Sequence, residues 1–165
     1  MTFLTLTGCV SRVGPAAVPE MSTLPSRGPV AGECATTDIE VTGGLDEKPE
    51  VTLPTDCAPP TTLLARDLTV GTGRQAVRGS NLEVNYVMIT WSDGLVLDST
   101  WAGNDSLPLS MTDLGRSGWI DGWDEGVLGI REGGRRLFVV PRDPDPDGTG
   151  PGDTLVYVVD ATRVF

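Results

Sequence analysis

The chain has no histidine, a single lysine and only nine aromatic residues among 165. Without an imidazole it cannot form a Ser-His-Asp triad, a Cys-His pair, a zinc-binding HExxH helix or any other histidine-ligated metal site. Basic residues are scarce as well, since 12 Lys and Arg stand against 23 Asp and Glu, for a formal net charge of -11. This charge disfavours nucleic acid and anionic membrane surfaces as partners. No stretch approaches the ~18 apolar residues of a membrane-spanning helix.

The first nine residues end in Leu6-Thr7-Gly8-Cys9, which matches the bacterial lipobox, a motif whose cysteine receives a lipid after export. The residues before Cys9 contain no Lys or Arg and are fewer than a signal peptide needs, with its basic region and its apolar stretch of about 7–15 residues. A start codon assigned too far downstream would explain this; the alternative is a chance match in a cytoplasmic tail. We expect lipidation at Cys9, which would anchor an exported protein to the outer face of the bacterial cell membrane without crossing it.

Two further cysteines, Cys34 and Cys57, form an even pair if Cys9 carries lipid. Such a pair predicts a disulfide in an exported protein, because disulfides persist in oxidising compartments. The alternative is two unrelated thiols in a cytosolic protein. The composition suggests neither a metal nor another cofactor.

Glycine and proline, 34 residues together, divide the chain into regions. Residues 1–9 are interpreted as the remnant of a signal sequence. Residues 10–33 lack hydrophobic periodicity and predict a flexible tether. Residues 34–60 hold two short alternating runs and predict an N-terminal arm that packs on the main domain. The main domain spans residues 61–165.

Alternation of apolar and polar residues predicts strands through most of the main domain. The strongest strand is 81–91, which places Leu82, Val84, Tyr86 and Met88 on one face and Glu83, Asn85, Val87 and Ile89 on the other. The other predicted strands are 62–70, 95–100, 107–111, 136–140 and 154–159.

In one segment the spacing of the apolar residues changes from that of a strand to that of a helix. Ile120, Trp123, Val127 and Ile130 follow at steps of three and four, which predicts a single short helix that stops at Gly133-Gly134. Several antiparallel strands with one helix indicate an α+β fold in which the sheet wraps over the helix.

Short motifs of the main domain occur in an informative order: Val84-Asn-Tyr86, Asp93-Gly94, Leu97-Asp98-Ser99, Trp119-Ile-Asp-Gly-Trp123-Asp-Glu-Gly126, Gly133-Gly-Arg135 and Thr154-Leu-Val-Tyr157. This order resembles the FKBP-type peptidyl-prolyl cis-trans isomerases over about residues 62–165. The lipobox makes the chain similar to exported lipoprotein members from high-GC Gram-positive bacteria, and its eleven Arg against one Lys fit that source.

The resemblance implies a curved antiparallel sheet of five or six strands around one short helix, with an apolar pocket between them. It implies isomerisation of X-Pro bonds in exported proteins as they fold, with proline-containing polypeptides as partners and macrolide-type molecules as further pocket ligands. We expect a monomer. The implied catalytic residues are Tyr86, Asp98, Ile120 through its backbone N–H, Trp123 and Tyr157, and the implied further pocket walls are Leu97, Leu107 and Trp119.

The sequence also departs from the family pattern. Pro146 or Asp147 stands where the family usually has a loop tyrosine, residues 149–153 are shorter and less apolar, and leucines at 97 and 107 replace the commoner phenylalanine. A weak or inactive binding module or chaperone of the same fold is therefore the alternative, and a structural envelope lipoprotein without a pocket is a third. The acidic run 143–148 resembles a calcium loop but lacks its last glutamate, so a solvated loop is expected.

Overall fold

The computed structural model describes residues 32–45, 47–101, 107–116, 122–142 and 152–165. It contains eight strands and one α-helix in these ranges: β1 Glu40–Thr42, β2 Glu50–Thr52, β3 Leu64–Thr69, β4 Leu82–Thr90, β5 Val96–Ser99, β6 Leu109–Met111, α1 Trp123–Val127, β7 Gly134–Val140 and β8 Leu155–Val164. No helix in these ranges is long and apolar enough to cross a membrane.

The main sheet has the order β3-β7-β8-β4-β5, and β6 pairs with β4 beside β5. All of its pairings are antiparallel. The predicted antiparallel sheet of five or six strands over one short helix is confirmed. The last strand, β8, is central, because it pairs along its length with both β4 and β7.

The helix is shorter than the apolar period predicts. It begins at Trp123, after Gly122 with φ +81, and ends at Val127, because Leu128 is already extended and Gly129 follows with φ +87. Ile130, predicted on the same helix, lies beyond it, yet its side chain is only 1% exposed and packs in the core. The period therefore identified the core residues correctly and overestimated the length of the helix, and Ile120 lies outside the described residues.

Strand β8 is longer than its apolar run, which ends at Val159. It continues to Val164 through Asp160, a residue that would be costly to bury alone. Asp160 is buried in an ion pair with Arg135 of β7, which removes that cost.

Side chains alternate between the two faces of the main sheet, and each face buries its own apolar cluster. On the helix face, Trp123, Val127 and Ile130 pack against Leu82, Val84, Phe138, Tyr157 and Val159. On the back face, the strands contribute Val87, Ile89, Leu137, Val139, Val156 and Val158.

Residues 34–60, called the arm below, cover the back face. Ile39 is 1% exposed, and Val41, Val51 and Leu53 pack beside it on that cluster. A disulfide joins Cys34 to Cys57 and closes the arm on itself. The sheet is thus packed on both sides, although it carries only one α-helix among the described residues.

Candidate functional site

Trp123 is the central side chain of the helix face. It is the first residue of α1 and is only 3% exposed. The left-handed Gly122 before it lies so close to Val140 that a Cβ would come within 2.4 Å of Cγ1. Gly126, one turn later, lies against the ring of Phe138, where a Cβ would meet Cδ2 at 2.3 Å. These two glycines let the helix, and Trp123 with it, approach the sheet closely.

Three aromatic rings from three strands surround the indole. The ring centroids of Tyr86, Phe138 and Tyr157 lie 5.2, 5.6 and 5.0 Å from that of Trp123, and all three rings meet the indole edge to face. Tyr157 and Phe138, which are register partners on β8 and β7, stack with their centroids 4.8 Å apart. Such arrangements suit the charge distribution of aromatic rings and fix their orientations. The result is a rigid, largely buried group of four rings, called the aromatic cluster.

The indole N–H of Trp123 is also satisfied. It donates to Sδ of Met111 on β6 at 3.2 Å, in a buried position. Met111 therefore orients the indole, although the sequence offered no sign of this beyond an apolar residue on a short edge strand.

Tyr86 and Asp98 form the polar edge of the aromatic cluster. The Tyr86 hydroxyl donates to Oδ2 of Asp98, and Oδ1 of the same carboxylate accepts the N–H of Ser99 at 2.8 Å. The pKa of Tyr86 is raised well above its usual value. Burial of the side chain is the largest cause, and the hydrogen bond to Asp98 and the negative charge of that carboxylate add to it. The hydroxyl stays protonated at ordinary pH, and the carboxylate is held by donors on both oxygens.

Tyr157 differs from Tyr86. Its side chain is 0% exposed, and its hydroxyl has no hydrogen-bond partner among the described residues. Burial raises the pKa of Tyr157 to about 12, partly opposed by the positive charge of Arg142. This hydroxyl therefore remains a protonated donor without an acceptor among the described residues.

Two of the predicted pocket walls lie at the surface. Leu97 is 48% exposed and Leu107 is 75% exposed. Leu97 is the extra residue of a bulge in β5, since Met88 pairs with Asp98 and Ile89 with Val96. Leu95 and Val96, which precede Leu97 in the chain, are exposed as well.

The structure thus brings Tyr86, Asp98, Trp123 and Tyr157 together on one face of the sheet. The remaining predicted site residues, Trp119, Ile120 and Cys9, lie outside the described residues, as do the altered loop residues 143–151 and the tether up to residue 31. The described residues contain no group of three or more His, Cys, Asp or Glu that could hold a metal ion.

Comparison with known proteins identifies a family with this arrangement. The sequence profile described as FKBP-type peptidyl-prolyl cis-trans isomerase matches residues 72–160. That range includes Trp123 and the three aromatic residues around it. The chain belongs to this family of isomerases.

Individual relatives agree with the profile. An FK506-binding protein of Streptomyces anulatus is 37% identical over 125 residues, which cover 72% of this chain and 98% of the relative. A probable FK506-binding protein of Corynebacterium glutamicum is 35% identical, with 69% and 96% covered. Among solved structures, FkpA from Escherichia coli is 29% identical with a TM-score of 0.51, and the similarity covers 62% of this chain and 47% of that one.

The FKBP domain holds the arm on its back face through Arg135. This buried guanidinium donates from Nε and Nη2 to Asp160, from Nη1 to the carbonyl of Gly43 at 2.8 Å and from Nη2 to the carbonyl of Glu47 at 2.9 Å. One side chain therefore fastens the turn between β1 and β2 to the centre of the sheet. Sequence reasoning missed this contact, because an arginine beside Gly133-Gly134 looks like an exposed residue of a turn.

Proposed function

We propose that this FKBP domain catalyses cis-trans isomerisation of X-Pro bonds in exported polypeptides as they fold. The observation that carries the proposal is the aromatic cluster, in which Trp123 is held edge to face by three rings. A proline ring that packs against this cluster would leave water for aromatic and aliphatic contacts. No nucleophile or general base is needed, because isomerisation makes and breaks no covalent bond.

The chemistry of the amide explains why such a site accelerates the reaction. Rotation about an X-Pro bond is opposed by a barrier of about 18–20 kcal/mol because it breaks amide resonance, and uncatalysed exchange takes tens to hundreds of seconds. The planar amide is polar and well hydrated, whereas the twisted amide has lost much of its carbonyl polarity. A water-poor apolar site therefore binds the twisted form relatively better than the planar one, and such differential binding is catalysis.

Tyr86 and Asp98 would orient the peptide at the edge of this site. Their hydrogen bond fixes a negative carboxylate beside the rings without leaving either oxygen unpaired. Preorganised polar groups of this kind cost no reorganisation during the reaction. The backbone N–H of Ile120 would hold a substrate carbonyl, and Trp119 would complete the wall beside it, as the resemblance implies.

The names of the relatives indicate a second class of ligand. Proteins called FK506-binding protein match 62–72% of this chain. We propose that FK506 occupies the same apolar site here and competes with proline peptides.

We place the protein outside the bacterial cell membrane, anchored by lipid on Cys9. The Cys34–Cys57 disulfide supports export, because such bonds persist in oxidising compartments. Residues 10–33, rich in proline, glycine and serine, would act as the tether. Metabolic labelling with a fatty acid tests this directly: we expect label in the wild-type chain and none in Cys9→Ser.

Isomerase activity is tested in a protease-free assay on the full chain with a proline peptide. We expect acceleration by the wild type and at least a tenfold loss in Trp123→Leu. The matched control is Trp91→Leu, which makes the same change at a half-buried tryptophan of the back face. Its kcat/KM should stay within twofold of the wild type. Acceleration that Trp123→Leu leaves intact would contradict the proposal.

A binding module without turnover is the second candidate, and the exposure of Leu97 and Leu107 favours it. Both are large apolar side chains that lie at the surface. A module of this kind would bind unfolded proline-containing chains and would delay their aggregation. Binding without acceleration in the same assay would select this candidate.

A further inference from the structure

The Tyr157 hydroxyl is a buried polar group in the middle of an apolar cluster, and it has no partner in the part of the chain that the structure describes. The side chain is 0% exposed. The contrast with Tyr86 is direct, since that tyrosine also meets Trp123 edge to face but donates to Asp98. The chain has only two tyrosines, and both contact the same indole.

An unpaired buried hydroxyl destabilises the folded state, because it has given up its hydrogen bonds to water. Phenylalanine would avoid that cost, and the aromatic cluster already contains one. Phe138, the register partner of Tyr157, stacks on the Tyr157 ring. A tyrosine kept beside a phenylalanine in the same surroundings indicates that the hydroxyl has a use. Unsatisfied buried groups in native proteins call for such an explanation.

The hydroxyl is suited to donate to a neutral or partly negative oxygen. Its pKa of about 12 keeps the proton in place at any physiological pH. The positive charge of Arg142, two residues after β7, acts on the same group and would favour an electron-rich acceptor beside it. A peptide carbonyl is such an acceptor, whereas an ammonium or guanidinium group is not.

We propose that the Tyr157 hydroxyl donates a hydrogen bond to a backbone carbonyl of the bound X-Pro segment, and so helps to determine which peptides bind. The inference rests on the proposed function only in taking a proline peptide as the ligand. The hydroxyl is buried in the free protein, so a peptide that reaches it would form the bond away from water. A hydrogen bond made in such surroundings is stronger than one made at the surface.

Tyr157→Phe in the full chain tests this. We expect the melting temperature to rise by about 2–4 °C, because the unpaired oxygen is gone. We expect the Kd for a proline peptide, measured by calorimetry, to weaken by about fivefold, with kcat/KM falling in parallel. Tyr86→Phe is the matched variant: it also removes one hydroxyl, but that hydroxyl is paired, so its melting temperature should fall.

The outcomes are separable. A Kd within twofold of the wild type overturns the inference, and so does a lower melting temperature in Tyr157→Phe, since that would mean the hydroxyl is paired in the free protein. If the wild type binds the peptide without accelerating its isomerisation, the catalytic proposal fails, and the Kd of Tyr157→Phe still decides the role of the hydroxyl. If the wild type does not bind the peptide at all, both proposals are wrong.

Discussion

The two faces of the main sheet are built from alternate residues of the same strands, yet they differ in kind. The helix face carries the aromatic cluster and the two tyrosine hydroxyls. The back face is mainly aliphatic and is covered by the arm, which a disulfide and a buried arginine hold in place. The difference separates recognition from support: the helix face carries the rings and the paired Tyr86 and Asp98 that suit a ligand, whereas the back face is closed by the chain itself.

The strongest test of the supporting face is the buried ion pair of Arg135 and Asp160. Asp160→Asn keeps the shape of the side chain but leaves the guanidinium without its counter-charge. Removing one partner of a buried pair typically costs about 3–5 kcal/mol, and we expect a loss of that size in the free energy of unfolding, measured with urea.

Arg163→Gln serves as the control for this variant, because Arg163 lies on the same strand but is exposed. Its free energy of unfolding should change by less than about 0.5 kcal/mol. A loss below about 1 kcal/mol in Asp160→Asn would mean that the arginine does not fasten the arm.

Removing the disulfide is expected to have the next largest effect. The double variant Cys34→Ser, Cys57→Ser opens a closed loop with a sequence separation of 23 and should lose about 3 kcal/mol of stability. Because the bridge lies entirely within the arm, kcat/KM at 25 °C should stay within twofold of the wild type. A large loss of activity in a variant that is still folded would show that the two faces are coupled.

On the helix face, Gly126→Ala tests how closely α1 must approach the sheet. Alanine would favour the helix by about 1 kcal/mol, but its Cβ would lie 2.3 Å from Cδ2 of Phe138, and overpacking costs about 1–3 kcal/mol. We expect a net loss of stability together with lower kcat/KM, because Trp123 moves with the helix.

Gly44→Ala makes the same substitution at an open position of the arm, where the nearest atom, in the Glu47 side chain, would be 3.7 Å away. It should leave both activity and stability nearly unchanged. Equal effects of the two substitutions would argue against close packing of α1 on Phe138.

The smallest expected effect is a loss of stability at alkaline pH. Folding raises the pKa of both tyrosines, that of Tyr157 to about 12, so the folded protein keeps protons that the unfolded chain releases near pH 10. Stability should be unaffected below pH 10 and should fall above it, by at most about 1.4 kcal/mol per pH unit per tyrosine and by less for the half-exposed Tyr86.

Absorbance near 295 nm reports this directly, because both tyrosines of the chain belong to the aromatic cluster. Tyrosinate should form in the native protein only well above the pH at which it forms in urea. Ionisation of both residues near pH 10 in the native protein would mean that the cluster is open to water.

The sequence predicts the parts of this fold that local patterns determine. Alternation along residues 81–91 assigned Tyr86 and Val87 to opposite faces, and the run around Trp123 identified the family. The end of the helix was misjudged, because Ile130 keeps the apolar period after Gly129 has turned the chain away.

The role of Arg135 could not be read from local patterns at all. Its partners are a carboxylate 25 residues away and carbonyls about 90 residues away, and only the register of the sheet brings them together. The stack of Tyr157 on Phe138 likewise depends on the pairing of β7 with β8.

The central position of β8 has a consequence for how the protein is made. Strands β4 and β7 do not pair with each other, because residues 155–164 lie between them. The sheet therefore cannot close until those residues have been synthesised, and the aromatic cluster remains incomplete without Tyr157. Domains that depend on such distant pairings fold slowly. If the protein is exported as proposed, that delay would leave time for the chain to be translocated while still unfolded.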